Sequence, residues 1–64
     1  MKRNTLLLVN LINETGARCL ELASRNGYYC IDEKTPSGYI TLISGLTLAG
    51  AHNYLKGFFD ALCK

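Results

Sequence analysis

The sequence predicts a small α+β domain of order αβββα, a three-stranded antiparallel meander with two helices packed on one face. Three observations lead there. Asn26-Gly27 separates two alternating runs, 18–25 and 28–33. A two-residue type I′ turn needs positive φ at both central positions, and Asn-Gly supplies it. Ahead of this hairpin, residues 5–15 place Leu7, Leu8, Val9, Leu11 and Ile12 on one arc of a helical wheel. Behind it, Leu48, Ala51, Leu55, Phe58 or Phe59, and Leu62 recur at helical spacing after Thr47, a good N-cap.

The first helix starts at an exposed Lys2-Arg3, with Asn4 or Thr5 able to cap it by accepting a bond from a free amide of the first turn. Asn10, Asn13 and Glu14 fall opposite the apolar arc, with Leu6 stranded among them, and Gly16 suits the left-handed position after a helix end. The apolar arc spans about 200°, broader than one buried stripe requires. Either this helix is sandwiched between the sheet and the second helix, or part of it meets another molecule. The competing reading is a single helix from Thr5 to Asn26 with Gly27 as its C-cap, at a cost of about 1 kcal/mol for Gly16 in mid-helix. Leu20, Leu22 and Ser24 alternate with Cys19, Glu21 and Ala23, which favours a strand.

A two-residue turn fixes the register: Arg25 faces Tyr28, Ser24 faces Tyr29, Ala23 faces Cys30 and Leu22 faces Ile31. One face then carries Leu20, Leu22, Tyr29 and Ile31 as a core, and the other carries Cys19, Glu21, Ala23, Arg25, Tyr28, Cys30 and Asp32 as a half-wet surface. Cys19 falls opposite Lys34, too far from Cys30 for a disulfide. Thr35-Pro36-Ser37-Gly38 makes a looser turn into a strand over 39–43 with apolar residues on both faces. Ser44-Gly45-Leu46-Thr47 reads as the entry to the last helix. There Thr47, Gly50, Tyr54, Gly57 and Ala61 form a second, smooth stripe that suits another backbone, either the first helix or a symmetry-related one.

With 64 residues, 48% hydrophobic and 19% charged, the chain is one globular domain near the lower size limit for independent folding. A net charge of +2, with seven basic residues scattered among five acids, describes a mixed, solvated surface and no polyanion-binding patch. The three cysteines lack Cys-x-x-Cys spacing, and reduced thiols in a cytoplasmic protein are expected. The apolar run from Leu6 to Ile12, broken at Asn10, falls well short of the roughly 20 residues needed to cross a membrane. His52 and Cys63 stand about three turns apart on one helix, which excludes a nucleophile pair. Asp32 and Glu33 point to opposite faces of a strand and are no acid–base pair. The Cys and His positions lack zinc-knuckle spacing, and no glycine-rich phosphate loop is present. The expectation is a protein that is no enzyme and needs no metal or cofactor.

Helix, three-stranded meander, helix over residues 5–62 resembles the double-stranded RNA-binding domain in topology. That family reads phosphates with a lysine cluster at the start of its last helix; here the start is Leu48-Ala49-Gly50-Ala51-His52-Asn53, without a cation. Its groove-probing loop between the first two strands is reduced here to Asn26-Gly27. Ser44-Gly45-Leu46-Thr47-Leu48 followed by His52-Asn53-Tyr54-Leu55-Lys56-Gly57 resembles small proteins of phage and prophage genomes that carry no assigned mechanism. That resemblance implies an accessory role exerted by binding a protein. The expected function is therefore non-catalytic protein interaction, as a homodimer or with a partner protein, through Leu6, Leu7, Val9, Gly50, Tyr54 and Gly57. The alternative is weak RNA binding on an aromatic and cationic platform of Arg25, Tyr28 and Tyr39.

Overall fold

A computed structural model describes residues 2–63. Helix α1 (Lys2–Gly16) is followed by strands β1 (Leu20–Arg25), β2 (Tyr28–Thr35) and β3 (Gly38–Leu46) and by helix α2 (Leu48–Leu62). The strands form one antiparallel sheet in the order β1-β2-β3. This is the expected αβββα architecture, and residues 18–25 do not continue α1.

The hairpin is the one that Asn26-Gly27 demands. Both residues have positive φ, 53° and 81°, and the pairing Arg25–Tyr28, Ser24–Tyr29, Ala23–Cys30, Leu22–Ile31 follows residue for residue. The Lys34 amide donates to the Cys19 carbonyl, so Cys19 does lie opposite Lys34. The second turn is tighter than expected: Thr35 pairs with Gly38 across Pro36-Ser37, and the Thr35 hydroxyl donates to the Gly38 carbonyl and accepts from the Ser37 amide.

Strand β3 runs three residues beyond the expected end, because two irregularities bend it. Ile31 pairs with Ile43 while its neighbour Asp32 pairs with Thr41, leaving Leu42 as an extra residue. Between Ile43 and Leu46 a further residue is accommodated at Ser44-Gly45, where Gly45 has φ 71°. The bulge at Leu42 breaks the two-residue alternation, so Leu42 and Ile43 both pack against the core. That is why strand 3 reads as apolar on both faces.

Val9 and Ile12 of α1, Leu20 and Ile31 of the sheet, and Ala51 and Leu55 of α2 form the core. Leu22, Tyr29, Tyr54, Phe58, Phe59 and Leu62 pack around it. The helices run side by side in the same direction, with Thr5 beside His52 at one end and Gly16 beside Leu62 at the other. The Thr5 hydroxyl and His52 Nδ1 share a hydrogen bond of 3.0 Å. Thr5 therefore does not cap α1, which starts earlier; it is a buried residue of the interhelical seam. Thr47 does cap α2, accepting from the Gly50 amide at 3.1 Å.

Gly16 also has a different task from the one expected. Ala17, with φ 52°, takes the left-handed position, and the Arg18 amide closes back on the Asn13 carbonyl at 3.2 Å. Gly16 ends the helix where a Cβ would stand 2.9 Å from Leu62 Cδ1. The glycine thus makes room for α2 to approach. Asn13 fastens the helix end to the sheet. Its side-chain oxygen accepts from the Leu20 amide at 2.8 Å and its side-chain NH2 donates to the Leu20 carbonyl at 3.0 Å. Leu20 belongs to an edge strand, and these are the backbone groups that β2 leaves unused, so Asn13 stands in for a missing neighbour.

Substitutions at this helix end test both assignments. Ala17→Gly should raise stability by about 1 kcal/mol because it removes a side chain from the left-handed region. Gly16→Ala should change it by less than about 1 kcal/mol, because the crowding falls on the flexible end of Leu62 and the helix preference of alanine offsets it; urea unfolding reads both. Asn13→Ala should cost about 1–3 kcal/mol, since it deprives two backbone groups of their partners at once, and hydrogen exchange at the Leu20 amide should rise with it.

Candidate functional surfaces

Two surfaces carry the residues singled out in the sequence: the open face of the sheet and the outer side of the helix pair.

On the open sheet face, Arg25, Tyr28, Cys30, Asp32, Thr41 and Tyr39 follow from the strand alternation and register. The face is not uniformly wet. Asp32 is only 4% exposed, and Cys30 is buried too, which corrects the expected half-wet face at both positions. Cys30 lies on the central strand opposite Ala23, and Asp32 lies beneath two partners. Arg25 Nη2 donates to Asp32 Oδ2 at 2.7 Å, and the Thr41 hydroxyl donates to Asp32 Oδ1 at 2.9 Å. The Arg25 guanidinium is thus paired with a carboxylate, which offsets part of its attraction for a phosphate while its side chain stays 58% exposed.

Tyr28 and Tyr39 are both exposed, but they pair with Arg25 and Lys34 at opposite ends of β2. Six residues of strand put them about 20 Å apart. Arg25 and Tyr28 are therefore brought together beside a groove of about 440 Å³ that Cys30, Thr41, Ser44 and Gly45 help to line, while Tyr39 stands apart. The expected three-residue platform is not one surface.

On the helical side, Leu7 is 59% exposed and Leu6 and Leu11 are each 43% exposed. Leu7 and Leu11 border a groove between the helices, lined also by Leu8, His52, Lys56 and Phe59 and closed at its rim by Asn4 and Asp60. Leu6 sits on the other flank of α1, toward β1, beside Asn10 and Glu21. Val9, expected at the surface with them, is buried to 5% exposure and belongs to the core. It lies on the inward side of α1, as do Ile12 and Thr5. The wide apolar arc is therefore divided: one half is core and the other is open. Leu11 shares the arc with Leu7 and joins it at the groove, although the sequence reading does not place it among the interaction residues.

The glycine stripe of α2 is not where α1 packs. α1 meets α2 through His52 and Leu62 and faces Lys56 and Phe59 across the groove. Gly57 is exposed, with no atom within 4 Å of where a Cβ would be. Gly50 is backed by Leu46 and its own cap Thr47. Tyr54 is half-buried against the core, with its ring tilted on Phe58 at 6.4 Å.

Arg18 is a functional-looking group that sequence reasoning passes over. It forms a two-pronged ion pair with Glu33 and lies 5.2 Å above the Phe58 ring. The hydrogen bonds to Glu33 push its titration further up from the ordinary guanidinium value. Its contacts join the α1–β1 connection, β2 and α2, so its place is structural. Among the described residues no group of three or more His, Cys, Asp or Glu side chains comes together as a metal site, and the three cysteines are unpaired. No described helix is long and apolar enough to cross a membrane.

Comparison of the chain with protein-family models, with curated proteins and with solved structures finds no match in any of the three.

Proposed function

We propose that this domain is a non-catalytic protein-interaction module whose contact surface is the outer side of α1 and the groove it shares with α2. One observation carries the reading: Leu7 and Leu11 are large apolar side chains left 59% and 43% exposed on one helix, and they adjoin an apolar groove that Leu8 and Phe59 continue. Scattered exposed leucines are ordinary on soluble proteins, but a contiguous patch rimmed by polar groups is a mark of interaction sites. The rim here is Asn4 and Asp60.

The rest of the molecule supports the same reading. His52 is held by Thr5, Asp32 by Arg25 and Thr41, and Glu33 by Arg18. These groups are used in holding elements together. The resemblance of the α2 region to small phage and prophage proteins fits an accessory protein that acts by binding.

The test is the double variant Leu7→Lys with Leu11→Lys. Its unfolding free energy in urea should stay within about 0.5 kcal/mol of the parent, while an apolar dye that fluoresces on the native protein should lose its site. A drop of more than about 2 kcal/mol would make both leucines part of the core, and the reading would fall.

A further inference from the structure

We infer that the occupant of this surface is a second copy of the chain, with the α1 helices of the two copies crossing antiparallel about a two-fold axis near residues 8 and 9. The inference rests on the interaction reading above and adds the partner and its geometry to it. It comes from how charge and apolar groups are arranged along the exposed side of α1.

At 100° per residue, Arg3, Leu7, Leu11 and Glu14 all fall on the half of α1 turned away from Thr5, Val9 and Ile12. All four are exposed. In order along the helix the row reads cation, leucine, leucine, anion. Leu7 and Leu11 are centred on position 9, and Arg3 and Glu14 are centred between 8 and 9, so the two midpoints nearly coincide. A two-fold axis there reverses the row. It lays Leu7 on the partner's Leu11 and Arg3 beside the partner's Glu14, each pairing occurring twice. Laid parallel, the same row would set Arg3 against Arg3 and Glu14 against Glu14. Among the described residues the ion pairs are Arg18–Glu33 and Arg25–Asp32, so neither Arg3 nor Glu14 is held in one within the chain.

The area sets the strength. Fifteen residues give a helix about 22 Å long, and two helices side by side are about 20 Å wide. Each copy would contribute about 400 Å², about 800 Å² in total, which belongs to weak, reversible association. The dimer is therefore expected in the high micromolar range and should be sought there.

Sedimentation equilibrium from 10 µM to 1 mM, together with cysteine cross-linking, tests this. The weight-average mass should rise toward twice 7.1 kDa. Arg3→Glu and Glu14→Arg should each weaken self-association by about tenfold at low salt, and the double exchange should restore it. In a background with Cys19→Ser and Cys63→Ser, a mixture of Arg3→Cys and Glu14→Cys chains should form a mixed disulfide, while neither chain alone should link to itself. Self-linking of the Arg3→Cys chain would overturn the antiparallel arrangement. A mass that stays monomeric at 1 mM would overturn the second copy as occupant. It would leave the interaction reading standing if the double lysine variant keeps its stability, and both would fall if that variant unfolds.

Discussion

The structure depends on the register set at Asn26 and Gly27. Two successive residues at positive φ turn the chain in the sense that matches strand twist, and the first consequence is that Leu22 lies beside Ile31. Ile31 is then fully buried on the middle strand, with Leu20 close by on the edge. A slip of one residue would exchange the faces, sending Cys30 and Asp32 beneath the helices and Ile31 to the open side. In a chain this short no second core could compensate. Among the described residues six buried apolar side chains make up the core cluster, and each must find the others from one sheet face and two helices.

Because that core is small, polar contacts finish the joining of the elements. Thr5 and His52 tie the helices at one end, and Gly16 lets Leu62 close against α1 at the other. Asn13 holds the edge strand, and Arg18 joins β2 to α2 through Glu33 and Phe58. Each is modest against the conformational entropy of a 64-residue chain. They act at the places where apolar packing runs out, which are the ends of α1 and the edge of the sheet.

The sequence makes legible whatever is encoded over a few neighbouring residues. The turn, the pairing it imposes, the Thr47 cap and the buried face carrying Ala51 and Leu55 all depend on local spacing, and all appear in the structure. What escapes depends on where distant elements meet. Asn13 reads as a solvent-facing asparagine because nothing in the helix pattern reveals an edge strand passing beside it. Gly16 carries the composition of a left-handed cap, yet the helix runs through it and Ala17 takes that conformation, while Leu62, 46 positions away, packs where a side chain at Gly16 would stand. The wheel of α1 shows an arc of the right width but not its division. That division follows from α1 packing on the side of α2 that carries His52, Phe59 and Leu62 and not on the side of its glycines.

The same division decides between the two surfaces as candidates for binding. The sheet face offers an arginine whose charge is already matched by Asp32 and two tyrosines held about 20 Å apart. A polyanion would compete with Asp32 for a guanidinium that is already paired but still 58% exposed, a competition worth about 1 kcal/mol or less. The helical face asks for no such exchange. Leu7 and Leu11 already face water, and covering them removes apolar area at a gain of about 25 cal/mol per Å² while every bond inside the chain stays intact. Of the two faces, the one with nothing to break is the one to which the proposed interaction is assigned.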